Sequence, residues 1–400
     1  MSTHYLDHAA TTPMRESART AYVAELARVG NPSALHASGR AARAVVEDAR
    51  EQLAIALGAH PTELIWTSGG TEANNMALKG LFWARHAQDP RRQRIVISAI
   101  EHPAGMEPAQ WLEREHGATV VVIPVDAQGL VDLDALRAEV IAHHEHIAVI
   151  SVMWANSEMG AVQPVHEVVE IADAYGIPVH SDAVQAVGHL PVHFGQSGLA
   201  SMSVSAHKCG GPVGVGALVV RRDLKLTPLT HGGGQERKIR SGTLNAAGAL
   251  AAAVAIGEAV AALEPEQQRL GALQRQLIDR IREEVPAAML SGPAPGEQRL
   301  TNNVHFVFPG GAAEAMMFVL DSHGVEASTG SACTAGVSQP SHVLLAMGRS
   351  EADASSTMRF SLGHTSTQED IDALVAVLPD AVARARQVGQ LCAPENDFEA

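Results

Sequence analysis

The chain has 400 residues, with 29 lysines and arginines against 44 aspartates and glutamates, which gives a formal charge of −15. Its 46% hydrophobic and 18% charged residues argue against a disordered or low-complexity chain and allow a large buried core. The negative balance, without a long basic run, argues against general binding to nucleic acid or to an anionic membrane surface. The length predicts two domains, or three.

The N-terminal residues show no basic segment followed by an apolar one, so we expect no secretory signal and a cytoplasmic location. The most apolar stretch, Ala246 to Leu263, is mostly alanine and contains Glu258. Alanine contributes little transfer free energy to a membrane span, so we interpret this stretch as a buried helix of a globular domain.

The cysteines Cys209, Cys333 and Cys392 are widely spaced and form no C-x-x-C motif, which indicates neither a disulfide framework nor a zinc site. The run His143-His144-Glu145-His146 resembles a metal site at first sight. Adjacent histidines do not share one helix face at the i, i+4 spacing, so we interpret the run as a solvated loop.

From Glu63 to Val220, short β-branched runs alternate with helical patterns, which predicts an α/β fold with a mostly parallel sheet covered by helices. The predicted strands are 64–67, 95–98, 120–123, 148–152, 177–180, 202–205 and 215–220.

Beyond the alanine-rich helix, a polar helix over Gln267–Glu284 leads to a predicted strand over Asn303–Phe308, which indicates a smaller C-terminal α+β domain. A final helix is predicted to begin near Thr367, with Asp370 placed three residues later as in a capping box. Residues 394–400 have the composition of a frayed tail.

The turn Thr67-Ser68-Gly69-Gly70-Thr71 joins a predicted strand to a helix, where backbone N–H groups bind phosphate well. No lysine follows the glycines and the spacing is not G-x-G-x-x-G, so nucleotide-binding motifs are not matched. A simple tight turn remains the alternative.

Two further strand ends carry chemistry. Asp182 ends one apolar strand and Lys208 follows another, after Ser205 and His207. An anion site, a carboxylate and a lysine are what pyridoxal 5′-phosphate requires: the lysine forms an imine and the acid keeps the pyridine nitrogen protonated. His102 follows a third strand and could stack on the ring and transfer protons, although a structural histidine is the alternative.

Over nearly its whole length the chain resembles the NifS/IscS-type cysteine desulfurases, which are fold-type I, class V aminotransferase-like enzymes. The resemblance rests on segments that occur in order along the chain: Tyr5–Pro13, Gly30–Ser33, Gly70–Glu72, Glu101–Pro103, Asn156, Ser181–Gln185, Ser205–Lys208, His231–Arg237, Arg240–Thr243, Ser328–Cys333 and Arg359–Gly363.

The resemblance implies a pyridoxal-phosphate transferase of fold type I with three parts. Residues 1–15 would form an arm that joins the small domain, and 16–260 the large cofactor-binding domain. Residues 261–400 would form the small C-terminal domain that carries the loop of the catalytic cysteine.

The resemblance also implies residue roles. Lys208 would hold the cofactor through the imine, while Asp182 would contact the ring nitrogen. Gln185 would contact the ring hydroxyl, and His102 would stack on the ring. The phosphate would be bound by Gly70, Thr71, Ser205 and His207, together with Thr243 from the second subunit of a homodimer. Asn156, also expected to contact the cofactor, and Arg359 would bind the substrate carboxylate.

Cys333 is the expected sulfur acceptor, because it lies in a small, polar run suited to an exposed loop, and a base or cation would have to help form its thiolate. Cys209 and Cys392 are interpreted as structural or incidental. No resident metal is expected, although Cys333 could transiently contact an iron–sulfur cluster of a partner.

The resulting hypothesis is that L-cysteine is converted to L-alanine while its sulfur forms a persulfide on Cys333. The sulfur would pass to an acceptor such as a U-type iron–sulfur scaffold or a tRNA thiolase, and the long loop after Cys333 favours direct transfer to a scaffold. Two departures from the family are the low aromatic content and Gly70, where alanine is common. Another class V enzyme, such as an aminotransferase or selenocysteine lyase, and a non-catalytic sulfur-relay scaffold are the alternatives.

Overall fold

The computed structural model describes residues 3–330 and 339–392. The strands of this part of the chain are β1 His4–Tyr5, β2 Leu64–Thr67, β3 Arg94–Ser98, β4 Thr119–Ile123, β5 Ile147–Ser151, β6 Val179–Asp182, β7 Ser201–Ser205, β8 Gly216–Val220, β9 Met289–Leu290, β10 Asn303–Val307, β11 Val325–Glu326 and β12 Thr357–Ser361.

The α-helices of the described residues lie between these strands and after the last one. They are α1 Glu16–Leu26, α2 Ala37–Ala56, α3 Gly70–Gln88, α4 Pro103–His116, α5 Leu133–His143, α6 Val165–Asp173, α7 Phe194–Ser197, α8 Ala246–Ala261, α9 Leu263–Glu284, α10 Ala313–Ser322, α11 His342–Ala346, α12 Glu351–Ala354 and α13 Gln368–Cys392.

The large sheet has the strand order β2-β8-β7-β6-β5-β3-β4, in which only β8 runs antiparallel to its neighbours. Most strands of this sheet are buried along their whole length, because helices cover both faces. The strand predicted over 177–180 begins only at Val179, since Pro178 cannot donate a ladder hydrogen bond. The predicted mostly parallel α/β sheet is otherwise found.

A second, three-stranded antiparallel sheet has the order β12-β10-β9. It packs with α9, α10 and α13 around its own hydrophobic core, which includes Phe306, Phe360 and Leu374. The N-terminal segment joins this core, because β1 pairs with β11 and Leu6 is fully buried there. The domain boundaries at residues 15 and 260 remain a prediction.

The alanine-rich stretch forms α8, whose buried alanines contact α2 and α1 as a buried helix should. Between residues 3 and 330 and from 339 to 392, we find no single helix with the length and apolarity to cross a bilayer; α8 and α9 meet that criterion only as a pair, which is bent by 70°. The backbone N–H of Thr367 donates to Asp370 Oδ2 at 2.8 Å, so half of the predicted capping box forms at α13.

Candidate active site

The predicted site residues meet at the carboxyl edge of the large sheet. β2 runs in the same direction as β7, because the antiparallel β8 lies between them. Asp182 ends β6, Ser205 ends β7, and α3 begins at Gly70 shortly after β2. Open α/β sheets bind their ligands at this edge.

A cavity of about 380 Å³ opens at this edge of the sheet. Of the residues predicted from the sequence, it is lined by Gly70, Thr71, His102, Asn156, Asp182, Gln185, Ser205, His207, Lys208 and Arg359. Thr243 is exposed and does not line this cavity, and Cys333 lies outside the described residues. The fold therefore brings together side chains that are far apart along the chain.

Lys208 follows β7 in a single 3-10 turn, which directs its amine toward the N-terminal segment. Nζ donates to the carbonyl oxygens of Ala9 at 2.5 Å and Ala10 at 2.7 Å. Burial, reinforced by Arg359, lowers the pKa of Lys208 to about 8, while the carboxylates of Asp7 and Asp182 oppose the shift. The amine of Lys208 therefore loses its proton more readily than an ordinary lysine does.

Asp182 is held by a chain of buried hydrogen bonds that the sequence analysis did not identify. Asn74 Nδ2 donates to Asp182 Oδ2 at 2.6 Å, and the Val184 N–H donates to Oδ1 at 2.9 Å. Asn74 Oδ1 accepts from His180 Nε2 at 2.9 Å, and Ser201 Oγ lies 2.9 Å from His180 Nδ1. Burial lowers the pKa of His180 to about 4, so this ring is neutral and its two nitrogens have fixed roles.

His102 is the N-cap residue of α4, and its Nδ1 accepts the backbone N–H of Ala104 at 3.0 Å. Burial lowers the pKa of His102; the charge of Asp182 opposes this shift, and the positive charges of Lys208 and His342 add to it. The imidazole is therefore neutral at physiological pH and forms one wall of the cavity.

The end of the cavity nearest α3 is suited to an anion. Gly70 and Thr71 begin this helix, whose first N–H groups have no partner within the helix. Ser205 and His207 line the same cavity. Burial, followed by the charge of Lys208, lowers the pKa of His207 to about 4, so it acts as a neutral polar group.

Val184 explains why glycine occupies position 70. A Cβ atom on Gly70 would lie 2.6 Å from Val184 Cγ2, closer than van der Waals contact permits. The backbone N–H groups of the turn remain unaffected, so the departure from alanine leaves the anion site intact.

Arg359, on β12, is another residue that lines the cavity. Its Nη2 donates to Asp7 Oδ1 at 2.7 Å and its Nη1 donates to the Ser157 carbonyl oxygen at 3.0 Å. Its Nε is buried and has no hydrogen-bond partner among the described residues. Arg359 also lines the cavity, where a guanidinium is suited to an anionic group such as a carboxylate.

Asn156 and Gln185 line the cavity but are engaged with the backbone. Asn156 Nδ2 donates to the Ile100 carbonyl oxygen at 3.2 Å, and its Oδ1 accepts the Glu158 N–H at 2.8 Å. Gln185 Nε2 donates to the Ala9 carbonyl oxygen at 3.0 Å. Both amides thus also hold the backbone that shapes the cavity.

Two buried carboxyl groups that the sequence analysis did not assign also line the cavity. Glu101 accepts the Met153 N–H at 2.7 Å, and Glu158 accepts from Ser341 Oγ at 2.5 Å. Burial raises the pKa of Glu101 well above its usual value, and burial also raises the pKa of Glu158. The only sequence signal for either was the position of Glu101 next to His102.

A model of the aminotransferase class-V family matches residues 4–374 of the chain. An IscS-like cysteine desulfurase from Mycobacterium tuberculosis is 51% identical over 383 residues, covering 96% of this chain and 97% of the relative. Cysteine desulfurase IscS from Dictyoglomus turgidum is 41% identical over 385 residues, covering 96% of this chain and 95% of the relative.

The solved structures agree with this relationship. A NifS-like protein superimposes with a TM-score of 0.87 at 32% identity, covering 96% of this chain and 100% of that chain. A NifS-like protein from Rickettsia africae gives a TM-score of 0.85 at 30% identity, covering 95% of this chain and 99% of that chain. The chain therefore belongs to the class-V aminotransferase family and, within it, to the cysteine desulfurases. The predicted family and fold class are confirmed.

Proposed function

We propose that this cysteine desulfurase uses pyridoxal 5′-phosphate to convert L-cysteine to L-alanine and leaves the sulfur on Cys333 as a persulfide. The observation that carries the proposal is the convergence of a lysine of lowered pKa, a buried aspartate, a helix N-terminus and an arginine on one cavity. Each of these groups matches one part of the cofactor or of an amino-acid substrate.

The donor set fits the cofactor. Within the described part of the chain, the amine of Lys208 donates its hydrogen bonds to two carbonyl oxygens and to no carboxylate, which leaves it available to form an imine. The carboxylate of Asp182 can hold a proton on the ring nitrogen, and the start of α3 with Thr71, Ser205 and His207 can bind the phosphate. When bound, pyridoxal phosphate supplies an electron sink for negative charge formed at the substrate Cα.

The protein's own residues then perform the remaining steps. Arg359 binds the substrate carboxylate beside Asn156, and Lys208, with a pKa of about 8, removes the Cα proton. The thiolate of Cys333 attacks the substrate sulfur, so that an S–S bond forms as the Cβ–S bond breaks. His102, on the cavity wall, relays from solvent the proton that completes the methyl group of alanine.

The wider context is also part of the proposal. We infer a cytoplasmic homodimer in which Thr243 of the second subunit completes the phosphate site, since Thr243 is exposed on its own chain. The three-part division at residues 15 and 260 is retained, because the chain has two separate hydrophobic cores, and Leu6 of the N-terminal segment belongs to the core of the small sheet. A U-type iron–sulfur scaffold or a tRNA thiolase would receive the sulfur.

The test is a visible absorption spectrum of the purified protein with pyridoxal phosphate, followed by addition of L-cysteine with an alanine assay. We expect an imine band in the wild-type protein, no such band in Lys208→Ala, and a normal band without catalytic alanine production in Cys333→Ala. Cys209→Ala is the control, because burial raises the pKa of that thiol to about 12 and makes it unreactive. Full activity in Cys333→Ala would refute the role of that thiol.

A further inference from the structure

The N-terminal segment runs beside two functional side chains of the cavity, although the proposed reaction gives its residues no role. The Ser361 N–H donates to the Leu6 carbonyl oxygen at 2.7 Å, which ties this segment to β12, the strand that carries Arg359. A few residues further on, the carbonyl oxygens of residues 9 and 10 accept from Lys208 Nζ. One short stretch of chain therefore contacts both the arginine proposed to bind the substrate carboxylate and the lysine proposed to form the imine.

Asp7 makes the contact with the arginine. Arg359 Nη2 donates to Asp7 Oδ1 at 2.7 Å, and the two side chains are 7% and 22% exposed. Arg359 lines the cavity, whereas Asp7 is not among the described residues that line it, so its carboxylate holds the guanidinium from outside the cavity. Nη1 donates to the Ser157 carbonyl oxygen at 3.0 Å. Each terminal nitrogen carries two hydrogens, so these two bonds fix the guanidinium plane and leave one N–H on each nitrogen for a ligand.

The turn that presents Asp7 is held by its own hydrogen bonds. The Ala10 N–H donates to the Asp7 carbonyl oxygen at 3.0 Å. The Tyr5 hydroxyl donates to the Thr11 carbonyl oxygen at 2.8 Å and lies 3.1 Å from that of Asp7. Burial, followed by the charge of Asp7, raises the pKa of Tyr5 to about 12, so the hydroxyl keeps the proton that it donates. The carboxylate of Asp7 is therefore presented from a fixed turn.

The charge of Asp7 also acts on Lys208. Burial, followed by Arg359, lowers the pKa of Lys208 to about 8, and the charge of Asp7 is the strongest of those that oppose this shift. A carboxylate paired with Arg359 thus reduces the effect of that cation on the lysine. The titratable groups that interact with this amine are Arg359, Asp7, Asp182, Cys209, His102 and His207.

We propose that Asp7 is a positioning residue, whose carboxylate holds the Arg359 guanidinium in the orientation that receives the substrate carboxylate. The inference rests on the proposed function. Asp7 acts through Arg359 and does not contact the substrate. Its second effect is to keep the charge of Arg359 from acting fully on Lys208. If Asp7 instead competed with the substrate for Arg359, its removal would strengthen substrate binding, so the two roles predict opposite changes.

The first experiment measures KM and kcat for L-cysteine by alanine formation with the holoenzyme of Asp7→Ala and Asp7→Asn. We expect KM to rise by about tenfold in Asp7→Ala with kcat changed by less than about threefold, because the guanidinium is no longer held for the substrate. In Asp7→Asn we expect KM to rise by less than about threefold, because the amide oxygen can still accept from Nη2. The control is Glu326→Gln, which removes an exposed carboxylate from β11, the strand that pairs with β1, and should keep the wild-type KM.

The second experiment needs no substrate. It follows the visible imine band of the holoenzyme with pH and records the midpoint at which the imine nitrogen loses its proton. Loss of a negative charge near Lys208 favours the neutral form, so we expect the midpoint to fall by up to about one pH unit in both Asp7 variants and to stay unchanged in Glu326→Gln. A purely structural role of Asp7 would leave this midpoint unchanged in Asp7→Asn. The asparagine variant also keeps the inference testable if Asp7→Ala does not fold.

Three results would overturn the role of Asp7. An unchanged or lower KM in Asp7→Ala would contradict positioning, and a lower KM would indicate competition with the substrate. An equal rise of KM in the alanine and asparagine variants would assign the effect to charge instead of orientation. An unchanged midpoint in both variants would refute the effect on Lys208.

Failure of the proposed function has a different signature. If the wild-type protein forms no alanine from L-cysteine, the desulfurase reaction itself is refuted. If the wild-type protein is active and Asp7→Ala keeps its KM and its midpoint, only the role of Asp7 is refuted.

Discussion

Asn74 is the residue through which the core of the large sheet supports the cavity. It is 1% exposed and connects Asp182 to His180, using both its amide donor and its carbonyl acceptor. Its spacing of four residues from Gly70 places both on one face of α3. A buried polar network of this kind is sensitive to loss of any member, because the remaining groups lose their partners.

We therefore predict that Asn74→Ala destabilises the protein by about 1–3 kcal/mol and weakens retention of pyridoxal phosphate. The physical reason is that Asp182 and His180 would each remain buried without this partner. Urea unfolding and the visible absorbance of the dialysed protein measure the two effects.

The next residue provides a matched control. Asn75 is only half-buried, and its side chain donates to the Thr71 carbonyl oxygen within its own helix. Asn75→Ala should change the free energy of unfolding by less than about 0.5 kcal/mol. Equal effects of the two substitutions would show that the link from Asn74 to Asp182 has no special role.

At the scale of elements, the glycine-rich loop of residues 231–243 is fixed to the large sheet by a buried ion pair. Glu236 is 1% exposed and accepts from Arg50 Nη2 at 2.7 Å and from the Trp66 backbone N–H at 3.0 Å. The chain then turns sharply, and Arg237 and Lys238 adopt left-handed φ angles of +52° and +61°. The anchor holds a backbone conformation that L-residues with side chains disfavour.

We predict that Lys238→Gly raises the free energy of unfolding by up to about 1 kcal/mol, because glycine removes the left-handed strain at the expense of some chain entropy. Lys238→Ala is the control: it removes the same charge but keeps the Cβ atom, and should give no gain. The measurement is the urea midpoint of each variant. A gain in the alanine variant equal to that of glycine would assign the effect to charge instead of backbone strain.

At the scale of the whole molecule, the burial of neutral histidines makes stability depend on pH. Burial lowers the pKa of His180 and His189 to about 4 and that of His305, reinforced by Arg299 and Arg359, to about 3. The unfolded chain protonates these rings below about pH 6.5, whereas the folded chain does not. The unfolded state thus binds more protons, and the stability of the fold falls as pH drops from about 6.5 toward 4.

His305 allows a direct test, because both of its ring nitrogens are buried without hydrogen-bond partners among the described residues. We predict that lowering the pH from 7 to 5 stabilises the His305→Leu variant relative to the wild-type protein by roughly 2 kcal/mol of unfolding free energy. The variant has no imidazole to protonate in its unfolded state, so it escapes this part of the loss. Urea unfolding at both pH values measures it. The control is His231→Asn at an exposed position, for which we expect the same difference in unfolding free energy from wild type at pH 7 and pH 5. The prediction is wrong if His305→Leu also differs from wild type by the same amount at both pH values.

The strands of the large sheet could be predicted because each is a short β-branched run between helical patterns, and covered parallel strands produce that pattern. Asp182, Ser205 and Lys208 could be predicted because they directly follow such strands, and the carboxyl ends of parallel strands share one edge. Glu101, Glu158 and His342 could not be assigned in this way. Their chemistry depends on burial and on partners that are distant along the chain.

The sequence by itself thus determined the family, the α/β fold and the residues at the strand ends, since local patterns and ordered motifs encode these. Only the tertiary structure decided the protonation chemistry of the cavity. The pKa of Lys208 is lowered by burial and by Arg359, and burial raises the pKa of Glu101 well above its usual value. Electrostatic interactions and hydrogen bonds act through space, so residues far apart in sequence set them.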